Sequence, residues 1–142
     1  MWWGGQDEVM LKRMKEDLGL KNVCFQGFVQ PEEYYRTASV FCMTSAMEGL
    51  PMVMEEAAAF GCVPMAFDSY ESASDLITDG ENGRLIQPFD VDAYAEALYR
   101  LMEDDDERKR MAENAKRDVK RFDPDRIMDE WERLFEEVLR IY

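Results

Sequence analysis

The sequence predicts an α/β fold in which helices flank a parallel β-sheet. Over residues 1–89, short apolar runs alternate with longer amphipathic ones, which is the pattern of successive βα units in a parallel sheet. From residue 90 onward, apolar residues recur at helical spacing only. We therefore expect one domain at residues 1–142, with an α/β core at about residues 1–89 and C-terminal helices at residues 90–142.

Apolar periodicity and end signals define each element in turn. The first helix ends at Gly19 and a later one at Gly61, because glycine readily adopts the left-handed conformation of a helix C-cap. Pro31 suits the first position of a short helix. In chain order, the predicted elements are a strand ending at residues 2–3, a helix at 7–18, a strand at 23–25, a short helix at 31–36, a strand at 40–43, a helix at 52–60, strands at 63–67 and 84–86, and helices at 91–102, 107–120 and 124–141.

The charge balance excludes several classes of partner. The chain carries 17 Lys and Arg residues against 31 Asp and Glu residues, a net charge of -14, which disfavours nucleic acid or an anionic membrane as the main partner. No apolar run approaches the roughly 20 residues of a transmembrane helix, and no signal peptide follows Met1. These features predict a cytoplasmic protein, and a location at the inner face of the membrane stays open.

Histidine is absent from the chain, which removes most catalytic triads, many metal sites and the usual general base at neutral pH. Cys24, Cys42 and Cys62 lie inside apolar, strand-like segments without metal-ligand spacing. We therefore expect buried free thiols and no metal site.

The nine residues at 48–56, EGLPMVMEE, are the strongest indicator of chemistry. They follow an apolar strand and a polar loop and run directly into a helix. Unpaired backbone N–H groups and the positive dipole end at a helix N-terminus favour a phosphate. Glu48 before the turn and Glu56 one turn into the helix can each accept paired hydrogen bonds from vicinal hydroxyls. Phosphate donors flanked by two diol acceptors predict a nucleotide-sugar site.

The Glu-x7-Glu spacing, with Gly-Leu-Pro after the first Glu, resembles the signature of retaining glycosyltransferases of the GT-B fold, in the glycosyltransferase family 4 type (glycosyl transferases group 1). An isolated Glu-x7-Glu is weak in an acidic chain, but this resemblance continues in order over nearly the whole sequence. The other segments that carry it are VCFQGFV at 23–29, YYRTASVF at 34–41 and DGENGRLI at 79–86.

The resemblance implies the Rossmann-like C-terminal half of that fold, which binds the nucleotide-sugar donor. In the family, the segment similar to residues 2–5 is the second strand of this half, and a first strand and helix carry an Arg and a Lys that bind the diphosphate. We therefore expect a truncated half without its first strand and helix, and the N-terminal acceptor-binding half as a missing partner. The strand at Trp2 and Trp3 would then pair with residues 40–43 or borrow a strand from a second copy.

The resemblance also implies roles for individual residues. Glu56 accepts hydrogen bonds from the ribose hydroxyls, and Glu48 contacts the donor sugar near its anomeric carbon. Pro51 has no N–H and only shapes the turn. The other residues implied to bind the donor are Gly49, Leu50, Met52 and Val53, through backbone N–H groups to sugar and phosphates, Gly27, Phe28 and Val29 beside the nucleobase, and Gly4 and Gly5 lining the same cleft. The resemblance implies no cofactor and no tightly bound metal, with a UDP- or GDP-type sugar as substrate.

Plainer interpretations of the same residues stay open. Glu48 and Glu56 could simply complement the helix dipole, Leu50, Met52 and Val53 could be core, and Gly27 could only end a strand. Glu55 lies about 100° from Glu56 around the helix and is expected to be solvated.

The stretch DSYESASD at 68–75 departs from the family, in which many members carry a Gly-Gly pair and a Glu there. Asp75 could stand in for that Glu. Alternatively, Ser72 to Asp75 could open a short helix as a capping-box-like start.

The resemblance implies a glycosyltransferase that transfers a hexose from a nucleotide diphosphate sugar, in cell-surface polysaccharide synthesis, although this chain alone is expected to be inactive. Two alternatives are the donor-binding subunit of a split glycosyltransferase and a non-catalytic α/β nucleotide-binding module. The last helix presents a broad apolar face, which predicts self-association. That face consists of Ile127, Trp131, Leu134, Phe135 and Val138.

Overall fold

The computed structural model describes residues 7–141. Contacts divide the chain into two units, Met1–Glu33 and Tyr34–Tyr142. The described elements are α1 (Glu8–Asp17), α2 (Pro31–Tyr35), β1 (Val40–Met43), α3 (Met52–Ala59), β2 (Val63–Phe67), α4 (Glu71–Leu76), β3 (Arg84–Ile86), α5 (Val91–Glu103), α6 (Asp105–Asp118), a 3₁₀ turn (Val119–Phe122) and α7 (Pro124–Ile141).

Strands β1, β2 and β3 form a parallel sheet in that order. Val40 of β1 pairs with Val63 of β2, and Phe67 of β2 pairs with Ile86 of β3. The strands have the predicted bounds, and the parallel pairing confirms the predicted fold class. Parallel strands bring their carboxyl ends to one edge, so the loops after β1 and β2 lie side by side.

Strand β2 is buried along its whole length because helices cover both faces of the sheet. Side chains alternate between the two faces of a strand. Met65 packs in a cluster with Leu101 of α5 and Met111 of α6, whereas Ala66 packs in a cluster with Met54 of α3. A continuous apolar run therefore suits this central position.

The predicted strand at residues 23–25 is wrong for the described structure, which assigns no strand there. Burial still alternates, since Val23, Phe25 and Gly27 are half-buried and the residues between them are exposed. The apolar pattern encodes that alternation, but a strand also needs a ladder of hydrogen bonds to a neighbouring strand. The predicted strand at Trp2 and Trp3, and its pairing with β1 or with a second copy, lie outside the described residues.

The acidic run at residues 103–107 is almost entirely helical, although the two predicted helices end at residue 102 and begin at residue 107. Helix α5 extends to Glu103 and α6 begins at Asp105. The reason is a side-chain cap: Asp104 Oδ1 accepts a hydrogen bond of 2.8 Å from the Glu107 amide. The acidic first turn of α6 also suits the positive end of the helix dipole.

Cysteine burial differs from the prediction at two of three positions. Cys62 is buried, and its Sγ donates hydrogen bonds of 3.4 Å to the carbonyls of Tyr35 and Ala38. Cys24 and Cys42 are exposed. Cys62 immediately precedes the covered strand β2, whereas Cys42 lies on β1, the edge strand of the described sheet.

Helix α7 has the predicted bounds but no buried residue. Trp131 and Phe135 stack on one another with ring centroids 5.6 Å apart, and both are largely exposed. Within residues 7–141, no helix combines the length and the apolarity needed to cross a membrane.

Candidate functional site

The Glu48–Glu56 segment lies at the carboxyl edge of the parallel sheet. Strand β1 ends at Met43, an irregular loop covers residues 44–51, and α3 begins at Met52. The neighbouring loop, residues 68–70, follows β2 and leads into α4. Ligands of open parallel sheets bind outside the carboxyl ends of the strands, so the topology places the predicted motif where a ligand site is expected.

Two serines tie these loops together. Ser69 Oγ donates a hydrogen bond of 2.9 Å to the carbonyl of Ser45, and Ser72 Oγ donates to the carbonyl of Gly49. The Ser69 bond joins the segment after β2 to the loop before Glu48, and the Ser72 bond joins it to the turn after Glu48. The backbone on both sides of Glu48 is therefore held from outside its own loop.

The capping-box interpretation of residues 72–75 is wrong. Helix α4 begins at Glu71, one residue before Ser72, and no side chain caps it. The Ser72 hydroxyl is instead bonded to Gly49, and Ser74 Oγ donates to the Glu71 carbonyl at 3.0 Å. Asp75 is exposed, and its suggested substitution for a family Glu stays a prediction.

The start of α3 leaves backbone donors available. Pro51 occupies the N-cap position and offers no side-chain cap. The Met52 amide donates to the Leu50 carbonyl at 2.9 Å, which removes Met52 from the predicted donors in this conformation. Within residues 7–141, no backbone carbonyl accepts from the amides of Gly49, Leu50 or Val53. These three amides are the candidate anion donors.

The turn also offers room for a ligand to approach. A Cβ built on Gly49 would meet no atom within 4 Å. Leu50 and Met52 are exposed, so the alternative that they belong to the core is wrong. Pro51 is buried, in keeping with a residue that shapes the turn.

Glu48 is half-buried and lies near Tyr70. Burial raises the pKa of the Tyr70 hydroxyl, and the negative charge of Glu48 raises it further. The same hydroxyl lies 3.7 Å from Met43 Sδ at the end of β1. Tyr70 thus lies close to the end of β1, where the charge of Glu48 acts on its hydroxyl.

The prediction that Glu55 is solvated is wrong, because Glu55 is the less exposed of the two glutamates in α3. Glu56 is exposed and can reach a ligand, whereas Glu55 is half-buried. Its Oε1 is shielded from water and has no hydrogen-bond partner among the described residues. Burial raises the pKa of Glu55, the positive charge of Arg121 opposes that shift, and the charge of Glu56 adds to it. Glu55 therefore lies on the covered side of the helix.

The remaining predicted donor contacts fall on residues of the other unit or outside the described residues. Gly27, Phe28 and Val29 belong to the unit Met1–Glu33, where Gly27 has a φ of 67° and Phe28 is 93% exposed. Gly4 and Gly5 lie outside the described residues. Across residues 7–141, no group of three Cys, Asp or Glu side chains has the arrangement of a metal site.

Comparison with known proteins decides the family. Residues 3–118 match the family model described as glycosyl transferases group 1. The chain belongs to this family. The chain is 36% identical over 135 residues to a Campylobacter jejuni enzyme named for the transfer of N-acetyl-D-galactosamine to an undecaprenol-linked glycan. The alignment covers 94% of the chain and 37% of that enzyme.

Solved structures agree with this assignment and give the fold. The chain superposes on TarM of S. aureus with a TM-score of 0.85 and 26% identity, over 94% of its own length and 28% of TarM. HepE of Anabaena, crystallised with UDP and glucose, gives a TM-score of 0.83 and 27% identity, over 93% of the chain and 37% of HepE. The fold is that of the Rossmann-like C-terminal half of GT-B glycosyltransferases. The chain spans little more than a third of these proteins at most.

Sequence reasoning missed the two serines and the tyrosine that contact the loop around Glu48 and the end of β1. All three follow β2: Ser69 and Ser72 bond to the segment that follows β1, and Tyr70 contacts Met43 at the end of β1. A signal was available, because adjacent parallel strands bring their following loops together. Polar residues directly after β2 were therefore candidates for contacts with the Glu48 loop.

Proposed function

We propose that the chain is the donor-binding half of a retaining glycosyltransferase, which transfers a hexose from a nucleotide diphosphate sugar. The observation that carries the proposal is the position of Glu48 and Glu56 on either side of the uncapped start of α3, at the carboxyl edge of the sheet. Family membership and the relatives' names support it, since the Campylobacter jejuni relative is a sugar transferase and HepE was crystallised with UDP and glucose.

The diphosphate would be held by backbone groups and not by a basic surface. The chain has a net charge of -14, so its overall field repels an anion. The amides of Gly49, Leu50 and Val53, together with the dipole of α3, supply local positive potential without a charged side chain. The same donors would stabilise the charge that develops on the departing diphosphate.

The two carboxylates would bind the two ends of the donor. Glu56 is exposed, and its two oxygens match the 2′- and 3′-hydroxyls of a ribose in charge-assisted hydrogen bonds. Glu48 lies on the other side of the turn, where a sugar attached to the diphosphate would extend. We assign Glu48 to the sugar and Glu56 to the ribose. On the family resemblance alone, we assign the nucleobase to Gly27, Phe28 and Val29, and further donor contacts to Gly4 and Gly5.

Transfer would need more protein than these 142 residues. The chain spans 37% of its Campylobacter jejuni relative, and the remaining length of such enzymes is the proposed source of the acceptor site. The chain alone should bind the donor weakly and transfer no sugar. Glycosyl transfer by the purified 142-residue chain would refute this part of the proposal.

Thermal unfolding against a panel of nucleoside diphosphates and nucleotide sugars tests donor binding. A ligand at 100 times its dissociation constant stabilises the folded state by about 2.7 kcal/mol, which raises the melting temperature by several degrees in a domain of this size. We expect a selective rise with either UDP- or GDP-type ligands. The rise should be lost in Glu56→Ala and kept in Glu113→Ala, an exposed glutamate on α6. Equal rises in both variants would contradict the assigned role of Glu56.

The exposed face of α7 favours a second candidate, a separate donor-binding subunit of a split glycosyltransferase. No residue of α7 is buried, and Trp131, Leu134 and Phe135 are exposed on it. A partner chain could cover this face. Co-purification with a polypeptide encoded next to this chain would support the split arrangement, and recovery of activity on mixing would establish it.

The proposed pathway is cell-surface polysaccharide synthesis in the cytoplasm, at the inner face of the membrane. The Campylobacter jejuni relative acts on an undecaprenol-linked glycan, as its name states. A lipid-linked acceptor would place the transfer at a membrane surface. Fractionation of cells, followed by detection of the protein in membrane and soluble fractions, tests this location.

A further inference from the structure

Tyr35 combines near-complete burial with an unsatisfied polar group. The residue is 3% exposed, and its ring contacts the rings of Phe41 and Phe60 at centroid distances of 5.9 Å each. The hydroxyl is shielded from water and has no hydrogen-bond partner among the described residues. Buried hydroxyls almost always have a partner, because leaving one unpaired costs free energy.

The packing of Tyr35 places it against the part of α3 that carries Glu56. Tyr35 is in the same buried cluster as Ala57, the residue after Glu56, with Phe60 packed against it. Phe60 follows Glu56 by four residues, and its amide donates to the Glu56 carbonyl at 3.3 Å. Residues four apart lie next to each other on a helix, so Glu56 borders the surface that Tyr35 covers.

Among the groups whose charge acts on the Tyr35 hydroxyl, Glu56 supplies the carboxylate. Burial raises the pKa of Tyr35 to about 12, and the negative charge of Glu56 adds to the shift. The Cys62 thiol is already engaged as a donor to two backbone carbonyls, one of them that of Tyr35. The Glu56 carboxylate is exposed, and it can therefore change rotamer without loss of packing.

We propose that Tyr35 is a positioning residue for Glu56: its buried hydroxyl donates a hydrogen bond to one carboxylate oxygen and fixes the side-chain rotamer. The other oxygen, with the remaining lone pairs, then faces the ligand. A bond from a neutral hydroxyl to a carboxylate is charge-assisted and strong. The role of this contact rests on the proposed function, in which Glu56 binds the ribose. The contact itself forms without a nucleotide.

A double-mutant cycle on the 142-residue chain tests the contact without any ligand. The four proteins are the wild type, Tyr35→Phe, Glu56→Ala and the double variant, and the readout is the urea midpoint of unfolding. If the hydroxyl bonds Glu56, Tyr35→Phe lowers the midpoint in the wild-type background and leaves it unchanged or higher in the Glu56→Ala background. If Tyr35→Phe raises the midpoint equally in both backgrounds, the hydroxyl is unpaired and the proposal is overturned.

Nucleotide affinity tests the positioning role. Calorimetric titration with UDP, and with GDP in parallel, should show about tenfold weaker binding to Tyr35→Phe, which corresponds to about 1.4 kcal/mol. Tyr99→Phe, an exposed tyrosine on α5, is the matched control and should bind as the wild type does. Unchanged affinity in Tyr35→Phe would overturn the positioning role even where the cycle shows coupling.

The two experiments separate the two proposals. Coupling in the cycle without nucleotide binding by the wild type would overturn the proposed function and keep the Tyr35–Glu56 contact. Nucleotide binding by the wild type without coupling would keep the proposed function and overturn the contact.

Discussion

Ser69 donates a 2.9 Å hydrogen bond from its hydroxyl to the backbone carbonyl of Ser45. This bond joins the segments that follow β2 and β1, and Ser72 makes a second such link to Gly49. The backbone around Glu48 is thereby positioned by a neighbouring segment and does not depend on its own loop alone. A rigid support of this kind is what a binding site on a loop requires.

Removing both serine links should weaken nucleotide binding and stability together. We expect the Ser69→Ala, Ser72→Ala double variant to lose roughly 1–3 kcal/mol in the free energy of unfolding, since a net hydrogen bond contributes about 1 kcal/mol. Urea unfolding and UDP titration measure the two effects. Ser74→Ala is the control, because Ser74 bonds only within its own segment. A double variant with wild-type affinity would show that the links do not position the site.

Added side-chain volume should reduce nucleotide affinity at one glycine, Gly49, and thermal stability at another, Gly83. The space around Gly49 is open, so Gly49→Val should leave the melting temperature nearly unchanged and reduce nucleotide affinity by blocking the approach to the turn. A Cβ on Gly83 would clash with the Pro64 carbonyl and come within 2.9 Å of Pro64 Cγ. Overpacking costs typically 1–3 kcal/mol, so Gly83→Ala should lower the melting temperature. A stable Gly83→Ala, or a Gly49→Val that keeps its affinity, would contradict the geometry.

Glu55 should make stability depend on pH. Its pKa is raised by burial in the folded state, so the folded protein holds this proton more tightly than the unfolded chain does. Stability from this group is therefore full below the ordinary value of 4.5 and declines as the pH rises through the raised folded value. Glu55→Gln should be more stable than the wild type at neutral pH, and this advantage should shrink in acid. Thermal melts from pH 4 to 8, on the order of one unit apart, measure it, and Glu113→Gln serves as the exposed control.

The apolar face of α7 should drive self-association when no partner covers it. Trp131 and Phe135 are exposed and lie on one side of a helix without buried residues. Light scattering should show oligomers whose fraction grows with concentration, and Trp131→Glu, Phe135→Glu should return the chain to a monomer. The matched control is Met102→Glu, an exposed apolar residue on α5. A wild type that stays monomeric at high concentration would show that exposure of this face has no such effect.

The sheet was the most predictable part of the structure. Strands β1, β2 and β3 have the predicted bounds, because β1 and β2 are short apolar runs before polar residues and β3 directly follows the turn that ends at Gly83. Residues 23–25 carry the same kind of run without forming a strand. Whether an apolar run pairs depends on a neighbouring strand, and local sequence does not contain that information.

The motif of the site was predictable from the sequence, but which of its side chains are covered by other segments was less so. Helical geometry separates Glu55 from Glu56 by about 100°, but it does not say which of the two is covered. That depends on Arg121 and the segments packed against α3, which are distant in sequence. The start of α6 shows a similar limit: the helix was predicted from residue 107, but the Asp104 side-chain cap starts it at Asp105.

Amide chemical shifts recorded during a UDP titration of the isotope-labelled chain test the central claim most directly. The account predicts saturable shifts at the amides of Gly49, Leu50 and Val53 that disappear in Glu56→Ala and persist in Glu113→Ala. Saturable shifts confined to residues away from the start of α3, or no shifts with either UDP or GDP, would contradict the assignment of this turn as the donor site.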